Sequence, residues 1–142
     1  MANLTVTAAD VRPLEGAIVR RYSAGDTVYV GDCVYMGTAG AVLQAAAGTS
    51  TIGSAIPLGI VVSAPDGGTV AVSGDKVDVV VYGPVAGFSS LTPGSHVWVS
   101  ATAGKLADGQ AGAGYYNYIV GIAEATTTVF VRPCAESIAK QS

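Results

Sequence analysis

Hydrophobic and polar residues alternate along most of the chain in short runs. Val, Thr, Ile and Tyr fill the runs, and Gly, Pro, Asp and Ser separate them, a pattern typical of β-strands joined by turns. Val28 and Val30 point to one face of such a run and Thr27 and Tyr29 to the other. The pattern predicts strands at residues 27–30, 33–36, 60–63, 70–72, 77–82, 96–100, 118–123 and 128–132.

Two segments are candidates for helix. Residues 7–11 precede Pro13, and residues 39–47 are rich in Ala but interrupted by Gly40 and followed by Gly48. Because glycine disfavours the helix interior, the sequence predicts strand and loop for residues 39–47. The fold class is therefore all-β: a small barrel or sandwich of short antiparallel strands, preceded by an extended N-terminal arm.

One turn has a distinct signature. Asp66, Gly67 and Gly68 lie between the apolar pair at residues 61–62 and the run at residues 70–72. Tight hairpin turns need residues that accept a positive φ. The spacing predicts that the two flanking strands pair with each other.

Two stretches of the chain share an order of elements. Each has a Gly-led strand with an aromatic residue, a small-residue hairpin strand, a loop and a Gly-Ile return strand. Too few copies are present for a solenoid, but two similar lobes of one barrel or sandwich would fit. In this alignment Trp98 takes the place of Tyr29 and is expected to pack between the lobes. The matched segments are 25–30, 38–43 and 57–61 in the first stretch, and 94–99, 102–107 and 120–123 in the second.

Composition adds information about the surface. The 142 residues suit a single domain, and half are hydrophobic while only 12% are charged, against about 25% in an average soluble domain. A weakly charged surface favours contacts between subunits. We therefore expect an oligomer or lattice component; the alternative is an Ala- and Val-rich monomer.

Charge and hydropathy argue against two classes of partner. The net charge is −3 and the longest basic run is the pair Arg20 and Arg21, whereas nucleic-acid binders carry a basic patch. No apolar stretch approaches the roughly 18 residues that cross a bilayer. The first residues also lack the pattern of a secretory signal. We expect no nucleic acid and no membrane as partner, and synthesis in a cytoplasm.

The residues that carry chemistry are few. His96 is the single histidine, and its place at the start of an alternating strand favours a surface or interface position over a role as general base. Cys33 and Cys134 match no metal spacing; a buried reduced pair or a bond between an early and the last strand both fit. The Asp residues are scattered among turns. We expect no enzymatic activity, no metal and no cofactor.

Three tyrosines follow a glycine-rich loop at residues 109–114. Tyr115, Tyr116 and Tyr118 would stack on sugar rings or anchor a partner if exposed. If buried, Tyr116 and Tyr118 would share one strand face and close the core or a subunit interface. The residue pattern favours the second interpretation.

Part of the chain resembles a known family. Residues 25–30 (Gly-Asp-Thr-Val-Tyr-Val) and residues 41–45, which lead through a Ser/Thr/Gly loop to residues 57–61, resemble the head decoration, or cement, proteins of tailed bacteriophages. The resemblance covers roughly residues 24–85, and more loosely residues 94–132. It implies a small β-rich protein bound to the outside of an expanded capsid, commonly as a trimer. It also implies that the N-terminal segment contacts the shell, although some members carry a longer, polar arm there.

These arguments predict three regions and a contact site. Residues 1–22 form the capsid-contacting arm, residues 23–134 the β domain and residues 135–142 a polar, frayed tail. We expect the arm to add a strand to a sheet edge of the major capsid protein while its arginines meet acidic capsid surface. The predicted partners are this capsid protein and further copies of the chain in a homotrimer on the capsid exterior. The predicted contact residues are Leu4, Thr5, Val6, Thr7, Arg12, Arg20 and Arg21.

Two other classes fit the sequence less well. A tail-fibre or adhesin module that binds glycans would use Tyr115, Tyr116 and Tyr118. A coat or appendage subunit would polymerise alone at high concentration, whereas a cement protein would stay a small oligomer until it meets a shell.

Overall fold

The computed structural model describes residues 2–48 and 52–133, and its elements confirm the all-β prediction. Three 3₁₀ turns interrupt the strands, at Ala8–Asp10, Ile52–Ala55 and Pro65–Gly67. Cys134 and the predicted tail at residues 135–142 lie outside the described residues. The strands are β1 (Thr5–Val6), β2 (Arg12–Pro13), β3 (Ile18–Ser23), β4 (Val28–Tyr29), β5 (Cys33–Met36), β6 (Val42–Gln44), β7 (Gly59–Ser63), β8 (Val70–Ala71), β9 (Lys76–Ala86), β10 (Phe88–Ser89), β11 (His96–Val99), β12 (Leu106–Ala107), β13 (Ile119–Ala125) and β14 (Thr128–Val131).

The long strand β9 is the axis of the sheet. Val80, in its first half, is aligned with Val19 of β3 and also with Ile60 of β7. Ala86, at its end, is aligned with residues of both β2 and β14. Since a strand residue meets different partners on its two edges, β9 is paired on both sides. The antiparallel sheet curls around this strand into a half-barrel.

The order of strands repeats on the two halves of β9. In the first lobe, hairpin β5–β6 pairs through β5 with β7, and β7 pairs with β9. In the second lobe, hairpin β11–β12 pairs through β11 with β13, and β13 pairs with β14. The two similar lobes that the internal echo suggested are thus present in the strand order.

The register corrects one detail of the echo. Trp98 of β11 lies opposite Ala107 of β12, as Tyr35 of β5 lies opposite Leu43 of β6. Trp98 is therefore the counterpart of Tyr35, and matching it with Tyr29 was wrong. Its side chain is buried, and its ring meets that of His96 edge to face.

The return strand of each lobe contains a glycine that cannot carry a side chain. A Cβ on Gly59 of β7 would overlap the carbonyl oxygen of Val80, and a Cβ on Gly121 of β13 would overlap that of Phe130. Strand β9 passes directly over Gly59, and strand β14 passes directly over Gly121. The repeated Gly-Ile pair therefore marks the same close contact twice.

The predicted hairpin at residues 66–68 is wrong in its pairing. The turn has the expected positive φ, 59° at Asp66 and 70° at Gly67. However, β8 pairs with β4, and β7 is paired with β5 and β9. Both edges of β7 are already occupied, so the turn passes the chain to a separate two-stranded ribbon.

The N-terminal segment is extended, as predicted, but it is not separate from the β domain. Strand β1 pairs with β10, and β2 and β3 run along β9. Val11 is buried and Val6 packs against the core. Burial of these apolar side chains holds the segment on the sheet.

Valine dominates the core, which the inward faces of both lobes form. Burying each such side chain contributes about 1.5–3 kcal/mol relative to leaving it in water, and β-branched residues suit the pleated surface. The largest fully buried side chains are Tyr118, Ile60, Val28, Val34, Val42, Val61, Val77, Val79, Val80, Val85, Val97 and Val99.

The close contact at the return strands gives a test of the two-lobe architecture. We expect Gly59→Ala and Gly121→Ala each to lower the free energy of unfolding by at least about 2 kcal/mol, because a methyl group would push the neighbouring strand away. Urea denaturation measures the loss. Gly53→Ala is the matched control, since a Cβ there meets nothing within 4 Å. Equal stability of all three variants would contradict the described crossing.

Candidate functional site

Residues 4–7, the predicted strand donor, already have partners within the chain. The amide of Leu4 donates to the carbonyl oxygen of Leu106 (2.8 Å), and that of Thr7 donates to Gly87 (2.9 Å). Between them, Thr5 and Val6 form β1, which pairs with β10. Adding these residues to another protein's sheet on the same edges would require these bonds to break.

Hydrogen bonds that involve side chains also hold the N-terminal segment against the second lobe. The Ser100 hydroxyl donates to Asn3 Oδ1, and Asn3 Nδ2 donates to Thr102 Oγ1 (3.3 Å). The amide of Ala2 donates to Asp108 Oδ1 (2.7 Å). These bonds join residues about a hundred positions apart, and no local pattern in the sequence signals them.

The predicted arginines lie along the outer strands of the sheet instead. Arg12 is in β2, and Arg20 and Arg21 are in β3; all three are exposed. Arg21 Nε lies 3.0 Å from Asp78 Oδ1 on β9, and this hydrogen bond and charge raise the pKa of the guanidinium. Of the seven predicted contact residues, the structure thus separates a paired group, residues 4–7, from an exposed basic group.

Large exposed apolar side chains lie beside the arginines of β3. Ile18 is 53% exposed, Val19 is 41% exposed, and Tyr82, aligned with Ile18 across the sheet, is 46% exposed. The Tyr82 ring meets Phe130 edge to face at a centroid distance of 5.2 Å. We call Ile18, Val19, Arg20, Arg21 and Tyr82 the edge surface, and it is the candidate functional site.

The three tyrosines do not form an exposed platform. Tyr118 is buried, at 2% exposure, and its carbonyl oxygen accepts from the amide of Val99 (3.0 Å). Tyr115 and Tyr116 are half-buried and pack against the core. Tyr118 therefore lies in the core.

Asn117, between these tyrosines, organises the glycine-rich loop. Its Oδ1 accepts from the amide of Ala111 (2.9 Å), and its Nδ2 donates to the carbonyl oxygens of Gly112 (3.3 Å) and Tyr115 (3.4 Å). The side chain is 1% exposed. Sequence reasoning missed this residue, because a single Asn among tyrosines does not reveal which backbone groups surround it.

His96 is exposed, as its position in the strand indicated. It lines a recess of about 360 Å³ together with the N-terminal segment, several Ser and Thr side chains, and Asp108. Polar and apolar residues both line the recess, which carries one imidazole and one carboxylate. Leu4 and Thr5 form part of its wall, so the paired N-terminal segment shapes it.

Asp32 is a buried carboxylate that the sequence did not single out. Its Oδ2 accepts from Gln44 Nε2 (2.7 Å) and from the amide of Tyr29 (2.9 Å). Burial raises the pKa of Asp32, while these hydrogen bonds and the charge of Lys105 lower it in part. The group fixes the start of hairpin β5–β6 in the first lobe.

Cys33 follows it and is fully buried. Burial, assisted by the charge of Asp32, raises the pKa of the thiol, which keeps it protonated at neutral pH. The possible bond to Cys134 lies outside the described residues.

Neither a known family model nor a curated protein matches this chain. Among residues 2–48 and 52–133, no group of three or more His, Cys, Asp or Glu side chains is arranged to hold a metal ion. The same residues contain no helix long and apolar enough to span a membrane.

The buried carboxylate predicts a pH dependence of stability. Because the pKa of Asp32 is raised on folding, its contribution is fully present below the usual aspartate pKa of about 3.9 and is lost as the pH rises through the folded-state pKa. Within that window the slope cannot exceed about 1.4 kcal/mol per pH unit, the limit that one proton sets.

Urea denaturation of the wild type and of Asp32→Asn, at a series of pH values, measures this slope. The variant keeps an acceptor oxygen but does not titrate, so its profile is expected to lack the decline. Asp10→Asn, at an exposed site, is the control and should follow the wild type. Parallel profiles for the wild type and Asp32→Asn would contradict the assignment.

Proposed function

We propose that the chain is a structural virion protein that binds the outer surface of an expanded phage capsid and stabilises it by bridging neighbouring capsomers. The observation that carries the proposal is the edge surface, where arginines and large apolar side chains lie together on an outer strand of a chain with net charge −3. The family resemblance of residues 24–85 supplies the identity of the partner, the major capsid protein.

A second exposed patch supports self-association. Tyr29 of β4 and Val70 of β8 lie opposite each other and are 47% and 45% exposed; Val72, just beyond, is 54% exposed. Adjacent exposed apolar side chains are typical of surfaces that contact other proteins. In the proposed assembly this patch joins copies of the chain into a homotrimer and leaves the edge surface for the shell.

Simple thermodynamics accounts for the stabilisation. A protein that binds only the assembled shell shifts the equilibrium towards assembly by mass action. Each oligomer contacts several capsomers at once, so modest individual interfaces combine through effective concentration. A small domain with few charges is therefore sufficient for the role, and no catalytic group is needed.

Co-sedimentation with expanded, undecorated phage heads tests the proposal. After its oligomeric mass is measured, the purified protein is expected to bind at a fixed, saturable ratio to the capsid protein and to delay thermal rupture of the heads. Heads already saturated with unlabelled protein are the control for non-specific pelleting of labelled protein. Absence of saturable binding across candidate heads would refute the proposed function.

A further inference from the structure

Strand β3 has one unpaired edge. Ile18–Ser23 is aligned with β9 along one side, and within the described residues no strand pairs with its other side. The backbone N–H and C=O groups on an open edge form a template onto which another extended chain can add. The side chains of β3 determine which extended chain can bind at this edge.

The charges of β3 disfavour a second copy. The strand contains Arg20 and Arg21 and no acidic residue. If two copies paired antiparallel about a twofold axis at these residues, Arg20 would lie opposite Arg20 or Arg21 opposite Arg21, since directly opposite residues share a face of the sheet. Like charges directly opposite each other destabilise a strand pair.

The same charges favour an acidic strand. Arg21 is paired with Asp78, whereas the side chain of Arg20 forms no ion pair or hydrogen bond with any described residue. Arg20 therefore offers an uncompensated positive charge at the open edge. Val19 beside it is 41% exposed and points to the other face of the strand, where an apolar partner side chain would cover it.

We infer that the open edge of β3 binds an extended segment of another protein by strand addition, with an acidic side chain opposite Arg20 and an apolar side chain opposite Val19. This inference rests on the proposed function in one respect: the protein that supplies the segment would be the major capsid protein. It also transfers the strand-addition role from residues 4–7 to residues 18–23, and there β3 acts as the acceptor.

A peptide experiment tests the edge without any capsid. The probes are two fluorescein-labelled hexapeptides, one with alternating Glu and Val and one with alternating Lys and Val. By fluorescence polarisation, the intact protein is expected to bind the acidic peptide at least ten-fold more tightly than the basic one. Added salt should reduce the difference, since these charges are exposed.

Charge reversal locates the binding. Arg20→Glu is expected to weaken binding of the acidic peptide at least ten-fold, whereas Arg132→Glu, the same change at an exposed residue after β14, should leave it unchanged. Circular dichroism and urea denaturation verify that both variants are folded. Equal binding of the two peptides, or equal binding by both variants, would overturn the inference. A change in the oligomeric mass of Arg20→Glu, with no change for Arg132→Glu, would also overturn the inference, because the edge would then be covered by a second copy.

The same variants separate this inference from the proposed function. If wild-type protein binds expanded heads and Arg20→Glu does not, both stand. If both bind heads equally, capsid binding stands and the role of the edge is refuted. If the wild type binds the acidic peptide as expected but no heads, the edge stands as a strand-binding site and the capsid proposal fails.

Discussion

Pairing of β9 on both edges is the constraint on which the rest of the structure depends. The strand combines an apolar run, which buries Val77, Val79, Val80 and Val85, with a length of eleven residues. That length allows one lobe to attach to each half on one side while residues 12–23 cover the other side. Neither lobe has a complete sheet without it. The position of the edge surface, and hence the candidate site, follows from which strand is left outermost.

The eight strands that local pattern predicted are all present, because alternation depends only on neighbouring residues, but β3 was not among them. Strand β5 has the predicted bounds, and most other predicted strands differ by one or two residues at their ends. The pattern did not predict which strands pair with each other. Asp66 and Gly67 adopt the turn conformation that their residue types favour, yet the flanking strands do not pair, because β7 has two other neighbours. The residue types of a turn determine its backbone geometry, whereas competition between strands in the folded chain determines which strands pair.

The candidate site was predictable in part for the same reason. The arginines of the N-terminal segment were expected to meet an acidic surface of another protein, which requires exposure, and all three are exposed. The burial of Asn117 and Asp32 depends on hydrogen-bond partners that only the folded chain assembles around them. The N-terminal segment contains the apolar residues Leu4, Val6 and Val11, but their spacing does not reveal the surface that receives them.

The place of β3 in the sheet has a consequence for synthesis of the protein. Arg21 and its partner Asp78 are 57 residues apart, so at about 5–20 residues per second β3 leaves the ribosome roughly 3–11 s before β9. During that interval the segment has two open edges rather than one. Adjacent arginines in a nascent, β-prone segment oppose its association with identical segments on neighbouring chains. The two positive charges of the edge surface therefore disfavour pairing between unfinished chains.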